Sequence, residues 1–170
     1  MSMQQQDIIM NGQNVTKLLE NRERARKDLS TADRNPKLVA NWVGESRSRI
    51  EFKNIEIHIG GEGELNPMQI FLASLAACDV DLIAMHAAFI GLKIESLSIE
   101  AGGHFNVARY LGLDDGPGPG YDGIAYVVRL RALGATPEQI EYLREKCERA
   151  SPVGDSLTRP VPLTLSFEVE

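Results

Sequence analysis

Hydrophobic positions change period along this chain, and each change marks the border of an element. Over 15–29, Leu18 and Leu19 sit among Glu20, Arg22, Glu23, Arg24, Arg26, Lys27 and Asp28, the pattern of a helix with a solvated charged face. Asn14 is suited to cap its start, and Asn35-Pro36 breaks it. Over 37–59 the period drops to two: Val39, Asn41 and Val43 interleave with Leu38, Ala40 and Trp42, and Ile55, Ile57 and Ile59 alternate with Glu56 and His58. Alternation of this kind predicts strands, with hairpin turns at Gly44-Glu45-Ser46 and Lys53-Asn54. Gly60, Gly61 and Gly63 then open a flexible loop.

The next segment is apolar on nearly all sides. Asn66 is a good cap, Pro67 suits the first helical position, and the helix is expected to run to about Ile90 before Gly91 stops it. Residues 70–90 are long and apolar enough to span a bilayer. Gln69, Asp79, Asp81 and His86 lie in or beside that stretch, and carboxylates are costly in hydrocarbon, so the expectation is a buried central helix.

Beyond it, Ile94, Leu97 and Ile99 alternate with polar residues and predict a strand over 93–105. The run from Asp114 to Gly120 is too rich in Gly and Pro for regular structure and reads as an exposed loop, and a strand resumes over 124–133. Thr136-Pro137-Glu138-Gln139 starts another helix, which carries Ile140, Leu143 and Cys147 on one face and ends at Ser151-Pro152. Leu163, Leu165, Phe167 and Val169 alternate with Thr164, Ser166 and Glu168, predicting a last strand. Such segregation of helices and strands signals an α+β fold.

Composition narrows the functional classes. A net charge of -6 leaves no basic stripe for nucleic acid or an anionic membrane. Cys78 and Cys147 are too few for a disulfide scaffold and suit a reducing, cytoplasmic setting. The start, MSMQQQDIIMNGQ, has neither the basic nor the apolar region of a secretory signal. No cofactor motif is present. His58, His86 and His104 with Asp79 and Asp81 lack paired-ligand spacing, so no metal site is expected. The Gly-Pro-Gly-Pro-Gly run lacks the lysine of a phosphate loop.

Two segments carry a family resemblance. GEGELNPMQIFLASLAACDVDLIAMHAAFIGLKIESLSIEAGG, with its Asn-Pro helix start, its Ala-Ala-Cys and its Gly-Leu helix end, resembles the core of OsmC/Ohr-like proteins. RASPVGDSLTRPVPLTLSFEVE resembles the closing helix, turn and strand of that family. The resemblance covers 37–170, an OsmC-like domain, and leaves 1–36 as an amino-terminal helical extension.

What it implies is an intertwined homodimer, with antiparallel strands around paired central helices and thiol sites near the interface. Peroxidase members reduce organic hydroperoxides with a reactive cysteine, assisted by a glutamate and an arginine, and a second cysteine before Pro resolves the sulfenate. By that resemblance Cys78 matches the reactive cysteine, and Arg47 or Arg49 supplies the cation. The glutamate position holds Met68 and the resolving position holds Ser151. Regeneration would then call on an external thiol reductant or on Cys147, which lies one turn before Ser151, a displacement of about 6 Å.

The residues themselves are less favourable to a reactive thiol. Mid-helix placement gives Cys78 no help from the helix dipole, Asp81 is read as lying one turn along on the same face, and unpaired carboxylates or burial work against a thiolate. Two readings stay open: a hydroperoxide-reducing thiol at Cys78, or a non-catalytic dimer that binds a small hydrophobic ligand in an apolar pocket beside Met68. A packed, inert cysteine is the bland alternative for Cys78 and Cys147 alike.

Overall fold

The computed structural model describes residues 7–169; Glu170, the end of the expected last strand, and residues 1–6 of the amino-terminal segment lie outside them. The expected helices and hairpins form largely where their start and stop residues place them. A two-residue hairpin, β1 (Ile9–Met10) and β2 (Gln13–Asn14), leads into helix α1 (Val15–Lys27), whose cap Asn14 accepts from the Lys17 N–H at 3.0 Å. A meander follows, β3 (Val39–Trp42), β4 (Ser48–Phe52) and β5 (Ile55–Ile59), antiparallel throughout and paired in that order.

Helix α2 (Pro67–Phe89) opens with a reciprocal capping box between Asn66 and Gln69. It closes on Gly91 at φ +71°, where the Leu92 N–H returns to the Ala87 carbonyl at 2.8 Å and the Gly91 N–H to Ala88 at 3.2 Å. These are the two bonds of a Schellman motif, and Leu92 is buried where that motif places its apolar contact. Strands β6 (Ser96–Phe105) and β7 (Tyr121–Arg131) pair antiparallel, with a register shift at His104/Phe105. Helix α3 (Pro137–Ala150) has its own capping box between Thr136 and Gln139, and a short helix α4 (Pro152–Thr158) follows directly.

The chain is thus a mixed α/β protein with antiparallel sheets. Its core lies where α2 and α3 pack on β6–β7, around Leu82, Ile83, Ala87, Leu92, Leu143 and Cys147. Helix α2 has the length and composition of a membrane span, yet it packs on β6, α3 and α4. Within one chain it buries Leu75, Asp79, Leu82, Ile83, Ala87 and Ala88, and leaves Phe71 and Val80 exposed.

Two expectations fail, and helix α4 and an amino-terminal hairpin were not foreseen. Residues 160–169 form no strand: Leu163, Leu165, Phe167 and Val169 stand in solvent, because alternation alone does not make a strand and this segment pairs with no edge of its own chain. Ser151-Pro152 does not simply end α3; Ser151 caps its end and also starts α4, accepting from the Gly154 N–H. The unforeseen hairpin is β1–β2, turning on Asn11-Gly12 with both φ values positive. Asn11 pins it to the domain, donating to the Leu92 carbonyl at 2.9 Å and accepting from the Ile94 N–H at 2.9 Å.

Candidate active site

Cys78 lies half-buried on the fourth turn of α2, facing the junction of α3 and α4. That junction is Ser151, whose side chain is 2 % exposed. The Ser151 hydroxyl accepts from the Gly154 N–H at 3.1 Å and donates toward Cys78 Sγ at 3.7 Å. A hydroxyl has one hydrogen to give; with the Gly154 N–H on a lone pair, that hydrogen is aimed at sulfur. The capping geometry that ends one helix and starts the next therefore also fixes a donor on the thiol.

Cys147, one turn earlier on α3, is buried, and its thiol is pushed up to about 11, first by burial, then by the charge of Asp79, with Glu148 and Cys78 adding to it. Asp79 is fully buried, and neither carboxylate oxygen has a hydrogen-bond partner among the described residues. Tyr126, on β7, has its phenol raised by burial and then by Asp79. One group of side chains from three elements thus surrounds the thiols: Asp79 from α2, Tyr126 from β7, and Cys147 with Ser151 from α3.

Beside it a cleft of about 670 Å³ opens between α2, β7 and α4, lined by Met68, Phe71, Leu75, Tyr121, Tyr126 and Leu157 among others. Tyr121 shapes its mouth. The ring stacks on Phe71 with centroids 5.9 Å apart, meets Phe105 edge-on at 5.2 Å, and its hydroxyl donates to the Met68 carbonyl at 2.8 Å. Gly103 makes room for it, since a Cβ there would stand 2.7 Å from the ring.

Of the residues singled out from sequence, Cys78, Ser151 and Cys147 come together, while Met68, about 15 Å from Cys78 along α2, lines the neighbouring cleft with Cys147. Arg47, Arg49 and Asp81 do not join them in the single chain. Arg47 pairs with Glu64, whose other oxygen accepts the Gly61 N–H at 2.9 Å, and that pairing holds the Glu64 carboxyl below its usual range. Arg49 pairs with Glu51 at 2.8 Å within the meander. Asp81 is exposed and accepts from Gln13 at 3.1 Å, so the carboxylate whose charge acts on Cys147 is Asp79. A step of about 100° per residue carries Asp81 off the face that holds Asp79. Among the described residues no group of three or more His, Cys, Asp or Glu is arranged to hold a metal; His58, His86 and His104 lie apart, on β5, α2 and β6.

Sequence reasoning missed Tyr121, Tyr126 and the double cap at Ser151. The last had a visible signal, a capping residue followed by Pro, the same start that opens α2 and α3.

A thiol on a long helix, met by the junction of two short helices beside a two-stranded sheet, places this chain in a recognised group. The OsmC-like protein family matches residues 60–166, more than half of the chain, and the chain belongs to that family. Among solved structures it is similar to an OsmC-like protein from Mycoplasma pneumoniae, at 15% identity and a TM-score of 0.63, over 74% of this chain and 89% of that one. It is similar also to a hypothetical protein from Aquifex aeolicus, at 14% identity and a TM-score of 0.60, over 74% and 89%. A protein from Legionella pneumophila, described as an organic hydroperoxide resistance protein, aligns at 19% identity and a TM-score of 0.51, over 74% and 91%. Among curated proteins the chain has no significant match.

Proposed function

We propose that the chain is a thiol-based reductant of organic hydroperoxides, with Cys78 as the attacking group. The observation that carries this reading is the Ser151 hydroxyl, buried and aimed at Cys78 Sγ at 3.7 Å. A donated hydrogen bond favours a charged sulfur over a neutral one, and the sulfur that attacks peroxide is the charged form. Family membership and the hydroperoxide-resistance description of the Legionella relative agree with it. The Cys78 sulfur attacks the distal oxygen of the hydroperoxide, the O–O bond breaks, and the alkoxide leaves as the alcohol after taking a proton from water. Sulfur is left as sulfenic acid. A small thiol from solution then displaces water to give a mixed disulfide, and a second thiol releases Cys78 with formation of the external disulfide.

External thiol is needed because Ser151 cannot form a disulfide, and Cys147, buried and with its thiol raised, is a poor nucleophile. The working form is a homodimer. Support comes from the solvated apolar alternation of 163–169, from Trp42 and Ile55 exposed on the meander, and from Phe71 and Val80 exposed on α2. Arg47 or Arg49 reaches the thiol site of the partner subunit in that assembly.

The test is intact mass after a short pulse of tert-butyl hydroperoxide. Oxygen addition in the wild type and in Cys147→Ser, absent in Cys78→Ser, is the expected result. An unreactive Cys78 in the folded protein would sink the proposal. The cleft at Met68, Phe71 and Tyr121 favours a second reading, a binding module for a small hydrophobic ligand. Native mass spectrometry distinguishes it: an apolar ligand retained by Cys78→Ser, with no peroxide chemistry in the wild type, selects that reading.

A further inference from the structure

A second cavity, of about 340 Å³, lies near the carboxy-terminal end of α2, about 12 Å along the helix from Cys78 to His86. Its floor is apolar: Leu18 of α1 with Met85 and Phe89 of α2. Its rim is cationic, formed by Arg22 and Arg24 of α1 and by Arg34 just beyond it.

These three arginines differ from most others in the chain. Arg26, Arg47, Arg49, Arg129, Arg131, Arg144 and Arg159 each pair with a carboxylate. Among the described residues Arg22, Arg24 and Arg34 pair with none. Arg22 lies over the Phe89 ring at 5.1 Å, Arg24 is held by the Asn21 side-chain carbonyl, and one Arg34 nitrogen donates to the Thr31 and Asp33 carbonyls at 3.2 and 2.7 Å. Such contacts orient guanidinium groups without neutralising them. Among the described residues no Asp or Glu lines the cavity. In a chain of net charge -6, three uncompensated cations around one apolar hollow are not explained by packing.

His86 registers the same field from below. Its Nδ1 meets the Tyr142 hydroxyl at 2.8 Å, and its imidazole is held below the ordinary range, first by burial and then by the charges of Lys146 from α3 and Arg22 from α1.

We propose that this cavity binds a small amphipathic carboxylate, with its headgroup among Arg22, Arg24 and Arg34 and its apolar chain on Leu18, Met85 and Phe89. A guanidinium offers a carboxylate two parallel donors, and Arg22 is already held over the Phe89 ring at the cavity. The apolar floor supplies what a bare anion would not use. A volume near the low end of the roughly 300–1,000 Å³ usual for small-ligand pockets limits the guest to a medium-length chain. The site shares no residue with the thiol cleft and does not depend on peroxide chemistry.

The test is calorimetric titration of the full chain with sodium decanoate, beside decanol and inorganic phosphate, with the His86 imidazole followed by NMR. Decanoate is expected to bind at least tenfold more tightly than either comparator. Its negative charge should raise the His86 midpoint on binding. The double variant Arg22→Gln/Arg34→Gln should lose at least tenfold in decanoate affinity, and Cys78→Ser should lose nothing. Equal affinity for decanol or for phosphate would overturn the proposal. So would decanoate binding that survives the double variant, or that leaves His86 unmoved. Should the double variant fold poorly, Arg34→Lys, which keeps the charge but not the paired donors, is expected to weaken binding severalfold; no change would count against the site.

Discussion

The Ser151 hydroxyl and the Cys78 sulfur lie 3.7 Å apart across the junction of α3 and α4, with the oxygen as donor. A sulfur in place of that oxygen would need only a small side-chain rotation to reach the bonding distance of about 2.05 Å. Ser151→Cys is therefore expected to pair Cys78 in an internal disulfide, in place of the external reductant proposed for the wild type. After a hydroperoxide pulse its intact mass should fall by two hydrogens, where the wild type gains oxygen or an adduct of the added thiol. If Ser151→Cys is folded and forms no disulfide with Cys78, the two positions are not aligned as described.

The same contact can be disturbed without touching either residue. A Cβ on Gly154 would stand 3.0 Å from both Cβ and Oγ of Ser151, so Gly154→Ala should push the hydroxyl off the sulfur. Alanine is the better helix former, and the fold should lose little stability. A hydrogen bond of ordinary net strength, about 0.5–1.5 kcal/mol, corresponds to about a two- to twelvefold loss in the rate of Cys78 oxidation. Ser151→Ala should lose about as much. Stopped-flow oxidation rates at fixed pH read both, and unchanged rates in the two variants would remove Ser151 from the chemistry.

Cys147 makes the chain sensitive to alkali. Burial first, then Asp79, raises the thiol from its ordinary 9.0 to about 11, so the folded state holds the proton more tightly than the unfolded state. The resulting stability is fully present below pH 9 and is lost as pH rises toward 11, a decline on the order of 1–3 kcal/mol. Urea midpoints across that range should fall in the wild type and stay flatter in Cys147→Ala. In Asp79→Asn the charge acting on the thiol is gone, so the decline should end at lower pH. A wild-type profile as flat as that of Cys147→Ala would contradict the assigned burial.

How much of this was legible depended on whether a signal was local. Asn66-Pro67 with Gln69, and Thr136-Pro137 with Gln139, state their capping boxes in four residues each, and both helices start there. Ser151-Pro152 carries the same kind of signal, but a helix had just ended, and a residue that stops one helix and starts another is hard to credit from sequence alone. Asn11-Gly12 is an equally plain hairpin signal, set between strands of only two residues, too short to show alternation. The identity of the buried carboxylate was not local. Asp79 and Asp81 are both near Cys78 in sequence, and only the packing of α3 and β7 decides that Asp79 is enclosed while Asp81 meets Gln13 in the open. The arginines were out of reach for a different reason: Arg47 and Arg49 sit on a meander that pairs with neither β6 nor β7.

The carboxy-terminal residues test the proposed assembly. Leu163 and Phe167 are 96% and 85% exposed in the single chain, and burying a side chain of this kind contributes about 1.5–3 kcal/mol. An alternating segment left unpaired in its own chain is a candidate strand, and a second copy of the chain offers it further open edges. Removal of residues 160–170 should leave α2, α3 and the β6–β7 sheet folded and shift the protein from dimer to monomer in sedimentation. The less drastic Leu165→Asp/Phe167→Asp should do the same at low concentration, since two charges would have to enter the joint. If the intact chain sediments as a monomer, the dimer is excluded; if the truncated chain remains a full-strength dimer, the tail takes no part in it and the interface must rest on the exposed face of α2.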